Sequence, residues 1–239
     1  LEKEIPVIIL AGGKSTPHSS DTSFPDVLKE VAGKPIIVHI ISYLQSYGFA
    51  NITVYLCKHK ELIKSKVNEH FSSIKFLEDS VSRGTASGLL KLSEQDSVPD
   101  KFILIYGDNL FHVDFTKMIA LHDQKEAVGT MALTEIDQPE SYGTVAFLDG
   151  NVFALYEKMS QEELQYRHIT RPFRINAGHY VFDKRIFSYL KTFLGQEKVS
   201  LERDVLPLLI EDKKLAGHAD SGLYVDIENP LTYTNTIAK

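Results

Sequence analysis

The stretch VIILAGGKSTPHSS, residues 7–20, decides how the rest of the chain is read. Four apolar residues run into Ala11, Gly12 and Gly13, the pattern of a buried strand that ends in a turn. Gly13, Lys14 and Ser15 match the close of a Walker-type phosphate loop. That loop needs another glycine five positions before Gly13. The position is Ile8, which lies inside the strand, so the Walker reading fails. What stays open is a strand-to-loop turn with a solvated lysine, or a phosphate-facing loop of another kind.

Working outward, apolar and turn-rich segments alternate. KPIIVHIISYLQSYG has helical spacing, with Pro35 at its start and Gly48 at its end. NITVYL, SIKFLE and KFILIYGDN read as strands, and HKELIKSKVNEHF, GTASGLLKLSE and DFTKMIALHDQKE as helices. Four strand–helix alternations predict a mostly parallel, Rossmann-like α/β sheet with helices on its faces. Ligands of such sheets sit beyond the carboxyl ends of the strands. The loop after Leu10 and the turn at Asp108 both fall there.

The second half reads as strands AVGTMALTEI, YGTVAFL, NVFALYEK and NAGHYVF, with Asp149-Gly150 as a tight turn. QEELQYRHITRPF is polar, a loop or short helix. DKRIFSYLKTFL reads as a helix, SLERDVLPLLIEDKK as a helix interrupted at Pro207, and GLYVDIENPLTY as a strand and terminal turn. With no Gly/Pro/Ser-rich linker and no repeat, the expectation is one domain over 1–239, carrying a β-rich insertion at about 136–185.

Composition narrows the function. The 239 residues carry 43% hydrophobic and 24% charged side chains, as ordinary globular proteins do. A net charge of -6 argues against a broad nucleic-acid surface. No apolar run is long enough to span a bilayer, so no membrane partner is expected and a cytoplasmic location is the default. The single cysteine, Cys57, cannot pair within the chain and reads as a buried strand thiol.

Taken in order, VIILAGG with FPDVLKEVAGKPIIVHII, then RGTASGLL, IYGDN, SYGTVAF, YEK, INAGHYVF, SLERDVLPLL and GLYVDIENPLTY resemble the sugar-1-phosphate nucleotidylyltransferases. The likeness spans nearly the whole chain. Val31, Gly33, Lys34 and Pro35 match the segment that precedes the first helix. The resemblance implies the nucleotide-diphospho-sugar transferase fold. It also implies a reaction of nucleoside triphosphate with sugar 1-phosphate giving nucleotide sugar and pyrophosphate. Two anions must meet in that reaction, so charge neutralisation dominates the barrier. The resemblance supplies magnesium, held by Asp108 and Asp226. Glu157 would accept sugar hydroxyl hydrogen bonds, Lys158 would hold the sugar phosphate, Gly143 would admit the ligand to the backbone, and Asn176 would bond a hydroxyl. Ala11, Gly12, Gly13, Lys14, Gly84 and Thr85 fall on the nucleotide side. Glu78 stands where the base is read, and a carboxylate there leans the reading to GTP; a surface glutamate is the plain alternative. The resemblance leaves homo-oligomer formation open, and no appended acyltransferase-type domain is expected within this chain.

Two departures matter. The family's loop glycine and arginine are Ser15 and Pro17, and its Pro-Lys lysine is Asp26. Pro17 has neither charge nor N–H, and Asp26 reverses a charge beside an anionic substrate. Lys14, His18 and Lys29 are the cations nearby in sequence, and spacing alone does not bring Lys29 in. Glu228 replaces the glycine after Asp-Ile in the tail. These losses raise a rival, a catalytically impaired relative that binds nucleotide, nucleotide sugar or sugar phosphate as a regulatory or assembly partner. Restoring Arg at 17 and Lys at 26 is then expected to raise activity. A related-sheet glycosyltransferase would need an Asp-x-Asp pair, where this chain has Asp108-Asn109-Leu110.

Overall fold

The computed structural model describes residues 4–12, 24–137, 139, 140, 142–169, 171–220, 222 and 224–226. In chain order, β1 (Val7–Leu10) leads to a small hairpin of β2 (Glu30–Val31) and β3 (Lys34–Pro35). Then come α1 (Ile36–Ser46), β4 (Ile52–Leu56), α2 (Lys60–Asn68), β5 (Lys75–Glu78), α3 (Ser87–Ser93), β6 (Lys101–Tyr106), β7 (Asn109–Phe111) and α4 (Phe115–Gln124). The second half adds β8 (Gly129–Ile136), β9 (Gly143–Leu148), β10 (Asn151–Glu157), α5 (Gln161–Tyr166), β11 (Phe173–Asp183) and α6 (Ile186–Leu190). A π-turn (Leu201–Val205), α7 (Leu206–Glu211), β12 (Leu215–Ala219) and β13 (Tyr224–Asp226) complete it.

Nine strands form one sheet in the order β5-β4-β1-β6-β11-β8-β12-β10-β9. β5, β4, β1 and β6 run parallel, as the alternation predicts, and β8 and β12 form a further parallel pair. Only β10 and β11 run against the rest, so the sheet is mixed but mostly parallel.

The stretch 136–185, read in the sequence as an insertion, supplies three strands of this same sheet. Its last strand, β11, lies in the middle, between β6 and β8. β11 is also where the sheet divides. Its second half pairs with β6, from His179 to Asp183, while Ile175 in its first half pairs with Thr144 of β9. The register on β8 shifts between Asn176 and Tyr180. The opening between β6 and β9 therefore lies at the stretch around Asn176.

Side chains alternate along β1. Val7 and Ile9 join the core beneath α1 and α4, and Ile8 joins the core beneath α3, α6 and α7. α1 buries Ile36, Ile37, Val38, Ile40, Ile41 and Leu44, which is why it reads so clearly from spacing. Asp149 and Gly150 both have positive φ, the hairpin turn expected between β9 and β10. Cys57 is buried just beyond β4.

His179 of β11 is fully buried, with its ring 3.8 Å from that of Phe111, and neither ring nitrogen makes a hydrogen bond of ordinary geometry among the described residues. Burial drives its pKa from 6.5 down to about 3, against a small opposing effect of the Gly178 backbone. The folded protein therefore holds it neutral, while the unfolded chain protonates it near pH 6.5. Its stabilising contribution is complete above pH 6.5 and is lost as the pH falls from there towards 3. By pH 5 the loss is about 2 kcal/mol. The urea midpoint is expected to fall between pH 7.5 and 5.0, and to fall less in His179→Leu. An equal fall in both proteins would contradict this assignment. His122, pushed to about 4 chiefly by burial, adds a second contribution of the same sign.

Candidate active site

The carboxyl ends of β1 and β6 lie side by side, where the chain's winding direction across the sheet reverses. The Gly107 N–H donates to the Leu10 carbonyl at 2.9 Å. That bond brings Ala11 and Gly12 into one crevice with Asp108, across nearly a hundred residues of sequence. The Ala11 N–H donates to the Tyr55 carbonyl at 2.9 Å, and Gly12 lies against Tyr55 and Cys57 beyond β4. Gly13, Lys14, Ser15, Pro17, His18 and Glu228 lie outside the described residues, as does the side chain of Asp226.

β13 pairs antiparallel with β7, in a register that sets Asp226 opposite Asn109. Asp226 is thus one residue from Asp108, on an adjacent strand at the mouth of the crevice. The pairing brings the backbone of both expected metal ligands to one edge of the crevice.

The reversed charge at Asp26 has a local answer. Asp26–Leu28 is a short 3₁₀ turn, in which residues three apart eclipse. Lys29 Nζ lies 2.7 Å from Asp26 Oδ1, and the Asp26 side chain is only 5% exposed. The pair offsets the charge that the sequence alone places there. Lys29→Met is expected to destabilise the fold by about 1–3 kcal/mol by removing this partner from a buried carboxylate. Urea unfolding would show it, and the reciprocal Asp26→Lys, Lys29→Asp protein should recover most of the loss. Asp26→Lys alone would set two ammonium groups in one turn, so the gain in activity expected from lysine at 26 requires a change at 29 as well.

Glu78 ends β5 in an exposed position. It bonds Lys64 and lies 3.8 Å from Lys60, one turn apart on α2. The Lys64 hydrogen bond holds its carboxyl below the usual carboxylate range. Glu78 thus stands at the surface end of β5 with Lys64 as its partner. Asp79 is the more inward carboxylate. It accepts the Val81 N–H at 3.2 Å and lies 3.4 Å from the Tyr55 hydroxyl and 3.5 Å from Arg83. Burial pushes its carboxyl up, but the Val81 N–H and Arg83 outweigh this and hold it below the usual range.

Gly84 and Thr85 lie in the turn ahead of α3. The Ala86 N–H donates to the Val199 carbonyl at 3.1 Å, and the Val199 N–H to the Arg83 carbonyl at 2.6 Å. The Thr85 hydroxyl accepts the Leu201 N–H at 2.8 Å and donates to Glu202 at 2.7 Å.

On the sugar side, Gly143 of β9 is paired with Glu157 of β10. A Cβ at Gly143 would lie 2.6 Å from Glu157 Oε1, so the carboxylate rests where any side chain would block it. Lys158 follows with φ +53, an uncommon conformation for lysine, and its N–H donates to the Tyr142 carbonyl at 3.2 Å. Both side chains are exposed. Asn176 is half-buried: it donates to the Tyr180 hydroxyl at 2.6 Å and accepts the Gly178 N–H at 3.0 Å. A cavity of about 410 Å³ opens beside Glu157, bounded also by Ala154, Leu155, Glu202, Arg203 and Pro207. Glu202, Tyr106 and Tyr180 were not singled out as site residues in the sequence, although Glu202 lies within the SLERD match.

A mostly parallel sheet, with Asp108 and the backbone of Ala11 and Gly12 at the crevice between the β1 and β6 ends, defines an α/β protein with its ligand site at that edge. The family model described as Nucleotidyl transferase matches residues 6–235, and the chain belongs to that family. The bifunctional protein GlmU of Methanococcus maripaludis is 32% identical over 229 residues, covering 93% of this chain and 51% of the relative. A putative mannose-1-phosphate guanyltransferase of Sulfolobus acidocaldarius is 27% identical, covering 96% of this chain and 61% of the relative. The chain thus spans about half to three-fifths of the length of these curated relatives. Among solved structures, HddC of Yersinia pseudotuberculosis, complexed with GMP-PN, superposes with a TM-score of 0.77 at 24% identity, covering 98% of both chains. That likeness places the fold. Enzymes of this family generally use a divalent metal. No helix among the described residues is long and apolar enough to cross a membrane.

Proposed function

We propose that this chain is a sugar-1-phosphate nucleotidylyltransferase acting as a single cytoplasmic nucleotidyltransferase-like domain. The observation that carries the reading is the β13–β7 pairing, which sets Asp226 one residue from Asp108 beside the end of β1. An oxygen of the sugar phosphate attacks the α-phosphorus of the nucleoside triphosphate. A new P–O bond forms, the bond to the β-phosphate bridge breaks, and pyrophosphate leaves. Asp108 and Asp226 would hold magnesium, which supplies charge neutralisation between the two anions. Lys158 holds the sugar phosphate as a point charge, and Glu157 orients the ring through its hydroxyls. The turn at Gly84 and Thr85, with Ala11 to Lys14, binds the nucleotide. Asn176 bonds a further ring hydroxyl.

The Asp26–Lys29 pair supports an active enzyme over the impaired relative, because the crevice does not carry the unpaired carboxylate that the sequence suggests. The test is pyrophosphate release with each nucleoside triphosphate, GTP first, against a panel of sugar 1-phosphates with magnesium. Metal-dependent turnover with at least one pair is expected. No turnover with any pair, together with a ligand-dependent rise in melting temperature, would favour the impaired relative.

A further inference from the structure

Glu202 is a half-buried carboxylate that forms no ion pair among the described residues. Three hydroxyls hold it instead. Tyr106 bonds one carboxylate oxygen, while Thr85 at 2.7 Å and Ser200 at 3.1 Å bond the other. Burial, and then the charge of Glu202, push the Tyr106 phenol far up, so it stays a donor. A carboxylate offers about four acceptor directions, so one remains on the oxygen that Tyr106 engages. Glu202 lies on the edge of the cavity that Glu157 also borders, with Arg203 as the neighbouring cation.

The backbone there is unusual in a way that bears on this position. Pro207 has no N–H to give the Arg203 carbonyl, so the chain cannot close an ordinary helical turn across it. It widens into the π-turn instead, with the Leu206 N–H reaching the Leu201 carbonyl. Such single π-turns recur at functional sites. Here the turn carries Glu202 on the helical wall of the cavity, while Glu157 stands on the strand wall.

Resting on the reading that this cavity takes a sugar 1-phosphate, we propose that Glu202 is a second acceptor for ring hydroxyls and a determinant of sugar specificity. Its hydroxyl anchors fix the carboxylate before the ligand arrives, so little ordering remains on binding.

The experiment is calorimetric binding of glucose, mannose and galactose 1-phosphates, and of the ring-deoxy analogues of the tightest binder. The proteins compared are wild type, Glu202→Gln and Glu157→Gln. Glu202→Gln should weaken the parent sugar phosphate about tenfold, the difference between a charged and a neutral acceptor. Nucleoside triphosphate affinity should stay within about threefold. One deoxy analogue that binds the wild type poorly should bind Glu202→Gln as well as the parent sugar does, and a different analogue should behave so in Glu157→Gln. A merely structural role would lower all affinities and leave the ranking of analogues unchanged, which would overturn the proposal. If Glu202→Gln does not fold, Glu202→Asp keeps the charge but withdraws it by one methylene and should flatten the same analogue penalty. Binding of no sugar 1-phosphate by the wild type would overturn the underlying reading and this proposal with it. Wild-type binding with unchanged penalties in the variants would overturn this proposal alone.

Discussion

Asp108→Ala is expected to lower turnover about a thousandfold or more while leaving the fold intact. The residue follows Gly107, whose N–H is bonded to the Leu10 carbonyl at 2.9 Å, so a backbone bond holds the turn on the β1 side. Asp226 pairs with the next residue, Asn109, across the β7–β13 ladder. Removing one of two carboxylates weakens the neutralisation of two approaching anions, and losses at such positions reach about 4 kcal/mol of barrier. Comparing kcat for pyrophosphate release with the melting temperature separates chemistry from folding. A thousandfold fall with a melting temperature within a few degrees of wild type is expected. A parallel fall in both would assign Asp108 to the fold.

The second large effect is expected at Gly84. Its φ is +92, and a Cβ would come closer than 3.0 Å to the Val199 carbonyl oxygen, which is backbone and cannot swing away. That carbonyl already accepts the Ala86 N–H, and Val199 is fully buried. Gly84→Val combines this clash with a left-handed conformation that β-branched residues avoid, a loss of about 3 kcal/mol or more. Urea unfolding checks it, and triphosphate affinity should fall as the turn beside Thr85 moves. Wild-type stability in Gly84→Val would contradict the described contact between residues 83–86 and 199.

Much of this architecture is legible in residue order. The pattern of β1, α1, β4, α2, β5, α3, β6 and α4 shows as apolar periodicity, because each helix buries one face and each strand except the edge strand β5 is covered on both. The meeting of the Leu10 and Asp108 turns follows from that topology alone. β11 is different: its apolar run marks a strand, but nothing local says that it enters the middle of the sheet, so 136–185 reads as an insertion. β12 is hidden because LAGHA is small and interrupted by glycine and histidine, and it becomes a strand only by pairing with β8. The lysine partners of Glu78 are not legible until α2 places Lys60 and Lys64 one turn apart against it. Lys29 reaches Asp26 only because the chain makes a 3₁₀ turn there. Glu202 lay within a matched motif, yet its meaning depends on Thr85 and Tyr106, about a hundred positions away.

Phosphorus NMR of the wild-type protein with nucleoside triphosphate, sugar 1-phosphate and magnesium tests the central claim most directly. Transfer in this crevice predicts that the triphosphate and sugar-phosphate signals disappear together. Nucleotide sugar and pyrophosphate should appear in equal amounts, with no nucleoside monophosphate. Pyrophosphate with nucleoside monophosphate in place of nucleotide sugar, or unchanged spectra with every pair, would contradict it.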